Sequence, residues 1–319
     1  TGAVFRRAGE KVDYLYDQNN TYTLDAVWAK IGADDRAVTY NGNEYFIDDA
    51  ELVLETGSLN EIYVQQIEDM GKVSLSNVTY KGSSDKEYTA NPAKYTNAGE
   101  YKISVQGTVT VDGIPTILTT SAKLKINKRD ITVTGNNDTV TYDGEEHIVS
   151  GVTATGLVTG HAISSEAAVA ARTEEGTTSM GLTTSSSYEV KDAEGTDVTR
   201  NYTVTSVEDG YITIKADELN DTAFEVGGLS DVTYDAESHK QAPTVTDTER
   251  ETVLEAGTDY DVTYSTEDFV NVGTITVTIT GKGNYSGMVT KNYQIKEREI
   301  KVTGNNDTVT YDGEEHIVS

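Results

Sequence analysis

The sequence contains no cysteine. This absence excludes disulfides, thiolate metal ligands, cysteine nucleophiles and thioester crosslinks, so any exported module must be stabilised by packing. Large aromatic residues other than tyrosine are also scarce, with 4 Phe and 1 Trp against 20 Tyr. This composition provides few large apolar side chains to fill one large core. For a chain of 319 residues it indicates several small modules.

Positive charge is scarce as well, because 25 Lys and Arg face 53 Asp and Glu, for a net charge of −28. Nucleic acid is excluded as a partner, since its phosphates are bound by Lys and Arg. Direct docking on an anionic membrane is disfavoured for the same reason. No apolar run approaches the roughly 20 residues of a membrane-spanning helix, and no signal peptide or anchoring tail is recognisable.

Twenty residues occur almost unchanged twice in the chain. ITVTGNNDTVTYDGEEHIVS begins at Ile131, and it returns at Ile300 with only its second residue changed. A shorter Val-Thr-Tyr signature recurs at intervals of 102, 92 and 77 residues. Its tyrosines are Tyr40, Tyr142, Tyr234 and Tyr311. A unit of this size corresponds to one small domain, larger than a solenoid repeat and smaller than most enzyme folds.

Each unit ends with a short alternating segment that we interpret as a closing strand. These segments are Leu124-Lys125-Ile126, Ile212-Thr213-Ile214 and Tyr293-Gln294-Ile295. The joints that follow are short and free of Gly and Ser, which forces neighbouring modules to stack end to end. We therefore divide the chain at residues 30, 129, 217 and 299. The predicted segments are 1–29, module 1 at 30–128, module 2 at 129–216, module 3 at 217–298, and the start of a further copy of module 2 at 299–319.

Strand patterns dominate every module. Residues 274–280 alternate strictly between aliphatic side chains and threonine, which is the period of a half-buried strand. Turn dipeptides separate the runs, and their glycines readily supply a positive φ. They are Asn41-Gly42, Asp112-Gly113, Asp143-Gly144 and Asp209-Gly210. One helix is considered at Ser164–Arg172. The sequence predicts an all-β protein of tandem small Ig-like β-sandwich or β-grasp-like modules, arranged end to end as an elongated rod.

Longer segments resemble known repeat families. YDGEEHIVSGVTATGLVTGHAIS, with KDAEGTDVTRNYTVT and YITIKADEL, resembles the MBG-type repeats of large bacterial surface proteins. EAGTDYDVTYSTEDFVNVGTITVTITGKGNYSGMVTKNYQI is similar to an Ig-like repeat of clostridial cell-surface proteins. FRRAGEKVDYLYDQNNTYTLDAVW resembles the second half of an internalin-type B repeat that ends at Trp28. The resemblance implies a stalk or adhesin segment on a Gram-positive, wall-bearing bacterium.

No residue is assigned a catalytic, cofactor-binding or metal-binding role. The histidines are His147, His161, His239 and His316. His316 repeats His147, His239 has the same offset from its signature, and Tyr45 takes this place in module 1. A position that accepts His or Tyr indicates a structural role for a flat, amphipathic side chain. No Ser-His-Asp order, P-loop or HExxH motif is present, and the sequence predicts that the chain is not an enzyme.

Carboxylates are abundant but show no EF-hand spacing. The paired ones are Asp48-Asp49, Glu145-Glu146, and Asp259 with Asp261. Calcium at the module joints is the alternative to solvated acidic turns. The residues that would hold it are Asp217, Glu218, Asp221 and Glu299. The signature tyrosines are interpreted as framework residues, and non-repeating tyrosines are the better candidates for glycan contact. These are Tyr88, Tyr95, Tyr188 and Tyr260.

Three functions fit these features. The first is a non-catalytic spacer in a large extracellular surface protein, which presents an adhesive or other functional domain away from the cell wall. In the second, the modules themselves bind mucin or host glycans. The third is a filament subunit, in which the segment 299–319 completes a neighbouring copy of the protein by strand addition.

Overall fold

The computed structural model describes residues 27–56, 73–111, 113–220 and 222–319. Most of the predicted internalin-like segment, including the side chain of Trp28, therefore lies outside the described residues, as do Asp112 and Asp221. The chain divides into two compact units. The first contains residues 1–130 with 198–203, and the second contains residues 131–197 with 204–319. No helix among the described residues is long and apolar enough to cross a membrane.

Two long strands dominate the first unit. Its strands are β1 (Val27–Gly32), β2 (Arg36–Thr39), β3 (Glu51–Thr56), β4 (Val73–Leu75), β5 (Thr79–Lys81), β6 (Gly99–Val111) and β7 (Ile114–Asn127). The main sheet has the order β2-β7-β6-β4, with β5 also paired to β6. The antiparallel pair β1-β3 lies against one end of this sheet, where Leu52 and Leu54 pack against Val73 and Val109.

Residues 129–215 form ten shorter strands. They are β8 (Arg129–Gly135), β9 (Asn137–Thr141), β10 (His147–Ser150), β11 (Val152–Thr155), β12 (Ala162–Ser164), β13 (Val169–Arg172), β14 (Gly176–Ser179), β15 (Glu189–Lys191), β16 (Tyr202–Glu208) and β17 (Tyr211–Lys215). Two three-stranded sheets have the orders β11-β8-β16 and β14-β17-β9, and β10-β13 and β12-β15 are separate pairs. Val149, Ala170 and Ile212 form a core cluster in this segment. One 3₁₀ turn, Thr199–Asn201, precedes β16.

The remaining strands build a two-sheet sandwich and one short, separate strand pair made by Asp217–Glu218 and Tyr285–Ser286. They are β18 (Asp217–Glu218), β19 (Phe224–Gly227), β20 (Val232–Thr233), β21 (Thr244–Asp247), β22 (Thr252–Val253), β23 (Tyr260–Tyr264), β24 (Gly273–Gly281), β25 (Tyr285–Ser286) and β26 (Met288–Lys296). One sheet has the order β19-β21-β22 and the other β20-β26-β24-β23. Phe224 and Val245 from the first sheet and Val277 and Tyr293 from the second belong to one buried cluster. The alternation predicted for residues 274–280 is confirmed, because Ile275, Val277 and Ile279 are buried.

The same three-strand arrangement recurs three times. In each case the Val-Thr signature strand pairs in parallel with the predicted closing strand, and an antiparallel strand that begins with glycine pairs on the other side. The aligned residues are Val38 with Ile126 and Gly99, Val140 with Ile214 and Gly176, and Val232 with Ile295 and Gly273. The amide of each signature tyrosine then donates to the carbonyl of Asn127, Lys215 or Lys296. This shared register makes positions in the three repeats directly comparable.

The helix considered at Ser164–Arg172 is wrong. The segment contains the end of β12, a turn and β13. Ala168 and Ala170 are 2% and 4% exposed, and Ala170 pairs with Val149 across the sheet. Burial in a strand therefore overrides the local preference of alanine for helix.

The glycine predicted to supply a positive φ at Asp209-Gly210 has another role. Positive φ values occur at Gly42, Gly113 and Gly144 but not at Gly210. A Cβ atom on Gly210 would lie 2.4 Å from the carbonyl oxygen of Asn136, so close backbone approach is what requires glycine there.

The second copy of the repeated twenty residues forms no strand, although its sequence matches β8 to β10. Ile131 and Val133 are 2% and 0% exposed, whereas their counterparts Ile300 and Val302 are 82% and 85% exposed. The described part of the chain is thus all-β, with tandem small β-sandwich modules. A β-grasp has a helix packed on its sheet, and the described residues contain none beyond the 3₁₀ turn.

Candidate functional site

Arg250 connects residues of the predicted modules 2 and 3 within the second unit. Its Nη2 donates to the carbonyl oxygen of Tyr142 at 2.6 Å and to the carboxylate of Asp217 at 2.9 Å. Its Nη1 donates to the carboxylate of Asp247, which is only 1% exposed. The guanidinium also lies 5.4 Å from the centre of the Tyr142 ring, within the range of a cation–π contact. The buried charge of Asp247 is therefore compensated by an arginine that also holds the neighbouring module.

Arg250, Tyr142 and Tyr285 at this joint have pKa values raised above their ordinary values. Burial lowers the pKa of Arg250, but the hydrogen bond to Asp217 and the charge of Asp247 outweigh it, so the pKa lies above its ordinary value. Burial, with a contribution from Tyr142, raises the pKa of Tyr285 to about 12. Burial and then the charge of Glu174 also raise the pKa of Tyr142. A group whose pKa lies far from neutral pH is poorly suited to acid–base catalysis. The pKa shifts of this cluster therefore indicate a structural role.

An Asn-Tyr dipeptide completes the same joint. The ring of Tyr285 meets that of Tyr142 edge-on, with centroids 5.6 Å apart. The Oδ1 of the preceding Asn284 accepts from the amide of Glu175 at 2.7 Å, and its Nδ2 donates to the carboxylate of Glu174. The asparagine thus binds one backbone donor and one side-chain acceptor, while the tyrosine, 6% exposed, packs on the signature tyrosine.

The first unit contains the same set of contacts. The rings of Tyr40 and Tyr202 meet edge-on with centroids 5.5 Å apart. The Oδ1 of Asn201 accepts from the amide of Ala98 at 2.7 Å, and its Nδ2 donates to Oδ1 of Asn97 at 3.0 Å. Asn201 is 0% exposed, so a buried polar side chain has both of its hydrogen-bonding ends satisfied.

These two sets of contacts occupy equivalent positions. Gly99 and Gly176 are equivalent by strand register, so Asn97-Ala98 corresponds to Glu174-Glu175. We call the arrangement the Asn-Tyr joint. It consists of a receiving surface, made by the signature tyrosine and the two residues before the aligned glycine, and an inserted Asn-Tyr dipeptide. Sequence reasoning missed it, although the dipeptide is visible at residues 201–202 and 284–285.

Three of the histidines pair with the aspartate four residues before them. His147 Nε2 lies 3.0 Å from Asp143 Oδ1, and the matching distances are 2.8 Å for His239 with Asp235 and 2.9 Å for His316 with Asp312. Tyr45, at the corresponding place in module 1, has its hydroxyl 3.4 Å from the carbonyl of Thr39. The Asp–His spacing of four residues was available in the sequence as a signal for this pairing. His161 donates its backbone amide to Val158.

The carboxylates that sequence pattern singled out do not converge. Among the described residues, no group of three or more His, Asp or Glu side chains is arranged to hold a metal ion. Asp48, Asp49, Glu145, Glu146 and Asp261 are exposed. Within the proposed calcium set, Asp217 is paired with Arg250, Glu218 and Glu299 are exposed, and Asp221 lies outside the described residues. Asp259 accepts from the amide of Glu255 at 2.8 Å, as a turn residue does.

The prediction that the four tyrosines considered for glycan contact are exposed is wrong, because three are half-buried and one is buried. Tyr260 is 2% exposed and donates to the carbonyl of Pro243. Tyr188 is half-buried and donates to the carbonyl of Thr183 at 2.8 Å. Tyr95 is stacked on Tyr101 with centroids 3.9 Å apart, and half-buried Tyr88 lies under the ammonium group of Lys81. Tyr260 is thus a core residue, and one ring face of Tyr95 is covered by Tyr101.

Comparison with known proteins leaves the family open. No protein-family model and no curated protein matches the chain. Extracellular cadherin domains 1-4 of protocadherin gamma B7 align at 12% identity over 83% of this chain and 76% of that chain, with a TM-score of 0.24. Drosophila N-cadherin aligns at 8% identity over 82% and 72%, with a TM-score of 0.26. A three-Ig fragment of titin aligns at 11% identity over 87% and 100%, with a TM-score of 0.23. Scores this low do not establish a common arrangement, and they support no conclusion about function.

Proposed function

We propose that this chain is a non-catalytic spacer region of a large extracellular bacterial surface protein, which presents a functional domain outside the chain at a distance from the cell wall. The observation that supports the proposal is the joint between modules 2 and 3. Arg250, Asn284 and Tyr285 of module 3 all contact the Tyr142 or Glu174-Glu175 regions of module 2. A protein that must hold a distance needs specific contacts at its joints as well as stable modules.

The resemblance to MBG-type and clostridial Ig-like repeats supports the cellular setting. Those families place such modules in cell-surface proteins, and the absence of cysteine and the net charge of −28 are compatible with a soluble exterior repeat. We therefore place the protein outside the cell, attached to a Gram-positive wall through segments beyond this chain. Protease treatment of intact source cells tests this location, and it should release peptides of this chain before peptides of any cytoplasmic protein appear.

Small-angle X-ray scattering of the full chain tests the spacer role. A compact globule of 319 residues has a radius of gyration of about 20 Å. Three modules in series, each about 33 Å long, would have a radius of gyration of about 30 Å. We expect the larger value, and a value near 20 Å would contradict the proposal.

A pair of matched variants separates joint contacts from general stability. Asn284→Ala removes the two hydrogen bonds that the Asn284 side chain makes across the joint, so we expect a broader distribution of interatomic distances with the modules still folded. Asn292→Ala is the control, because Asn292 also precedes a tyrosine but is exposed on β26. If the two variants scatter identically, the contact of Asn284 does not hold the joint.

A further inference from the structure

Module 3 presents a third receiving surface of the Asn-Tyr joint. Gly273 is equivalent by register to Gly99 and Gly176. Asn271-Val272 therefore corresponds to Asn97-Ala98, and the signature tyrosine is Tyr234. Asn271 is also the same residue type as Asn97, which accepts a hydrogen bond from Asn201 in the first unit. The three elements of a receiving surface are present in module 3 at the positions that the other two repeats require.

The local geometry leaves this surface ready for a partner. Tyr234 is fixed by its amide, which donates to the carbonyl of Lys296 at 2.9 Å, and its side chain is half-buried. The Nδ2 of Asn271 donates to the carboxylate of Asp268 at 2.7 Å. The Oδ1 of Asn271 is therefore the atom of this amide that can accept a hydrogen bond from a docked module. Val272 is 49% exposed, and within the described residues its backbone amide has no hydrogen bond. In the filled joints, the equivalent amides of Ala98 and Glu175 each donate to an inserted asparagine.

The chain itself indicates which module would fill the surface. Ile126 at the end of module 1 is followed five positions later by Ile131, the first residue of the repeated twenty. Ile295 at the end of module 3 is followed five positions later by Ile300, the first residue of the second copy. Joints of equal length therefore lead into the same sequence after module 1 and after module 3. In the first case that module supplies Asn201 and Tyr202 to the receiving surface before it.

We propose that Tyr234, Asn271 and the amide of Val272 form a docking surface for the Asn-Tyr dipeptide of a second complete copy of module 2. The asparagine of that copy accepts from the Val272 amide and donates to Asn271 Oδ1, and its tyrosine packs edge-on against Tyr234. Modules 2 and 3 both bear such a dipeptide, and the repeated twenty residues that begin at Ile300 identify the module that follows module 3 as a copy of module 2. These contacts depend only on the residues of the joint and form wherever the protein is located.

Hydrogen exchange of two chains tests the proposal. One is the full chain, and the other is the same chain lengthened by residues 151–216 after Ser319, which completes the second copy. We expect the Val272 amide to exchange roughly tenfold more slowly in the lengthened chain, as one new hydrogen bond implies. The Ala98 amide, already bonded to Asn201, serves as the internal control and should be equally protected in both chains.

A third chain shows whether the dipeptide causes the protection. It is the lengthened chain in which the asparagine that corresponds to Asn201 is replaced by alanine, and we expect exchange at Val272 to return to its original rate. The segment around Lys301, which differs from the first copy at this residue, reports whether the added copy folds. Protection at Lys301 without protection at Val272 would overturn the proposal. An added copy that stays unfolded would overturn it as well, because the same sequence folds after module 1.

Discussion

The turn after each signature tyrosine shows how much a single residue decides. In all four copies a side-chain oxygen of Asn or Asp accepts from the amide two residues later, at 2.9 to 3.0 Å. The residue between them has a φ of 85°, 83°, 73° or 85°. Glycine occupies this place in three copies, but the third copy has Ala236. A left-handed conformation costs an L-residue with a Cβ about 1–2 kcal/mol, so module 3 carries a strain that its relatives avoid.

We expect Ala236→Gly to stabilise module 3. Relief of the left-handed strain exceeds the added entropy of glycine in the unfolded chain, and the net gain should be about 1 kcal/mol. The measurement is native-state hydrogen exchange of the slowest amides in β24 and β26, which reports the free energy of unfolding of this sandwich.

Gly144→Ala is the reciprocal control for this turn. A Cβ there would meet nothing nearer than the hydroxyl of Tyr142 at 4.0 Å, so only backbone strain operates. The variant should destabilise module 2 by about 1 kcal/mol. Equal stability of Ala236→Gly and the parent chain would show that the turn tolerates a positive φ in alanine without cost.

At the scale of elements, Arg250 lies between β21 and β22 and binds Asp217 of β18, Asp247 of β21 and the carbonyl that follows β9. We expect Arg250→Ala to cost about 3 kcal/mol, since it leaves Asp247, 1% exposed, as a buried charge without its partner. The free energy of unfolding of module 3, measured by hydrogen exchange, checks the magnitude. The contact with Tyr142 should be lost as well, so protection of the amides at the end of β9 should fall.

Lys296→Ala is the matched control for charge removal. Lys296 pairs with Asp231 at 2.7 Å, but the two side chains are 55% and 44% exposed. Removing such a solvated pair should change stability by less than about 0.5 kcal/mol. If the two variants cost the same, burial of Asp247 is not what makes Arg250 important.

Strands were predictable from the sequence, whereas the contacts between them were not. The alternation in β24 and the closing strands β7, β17 and β26 depend on side-chain period alone and are confirmed. Arg250 is 108 residues from Tyr142, and no local pattern connects them. The Asn-Tyr dipeptide is ambiguous too, because Asn292-Tyr293 has the same letters but Tyr293 is a core residue at 1% exposure. Only strand register separates the inserted dipeptides from this one.

For the whole molecule, the repeated twenty residues separate local from non-local determinants of structure. The turn forms in both copies, with His147 beside Asp143 and His316 beside Asp312. The strands form only in the first copy, where β9 has β17 as a parallel partner and β8 has β11 as an antiparallel one. Strand formation is therefore set by available partners, which no window of the sequence contains.

Hydrogen exchange of the full chain should resolve this difference between the copies. Val133 and Val302 have nearly the same neighbours in sequence, so their intrinsic exchange rates are similar and the comparison is internally controlled. Val133 lies in a paired strand and Val302 is 85% exposed, so we expect exchange at Val133 to be slower by about 10³ or more. The turn amides of Glu145 and Glu314 should differ far less, because both bind their own aspartate. Strong protection at Val302 that grows with protein concentration would instead mean that the second copy pairs with another molecule, which is what the filament hypothesis requires.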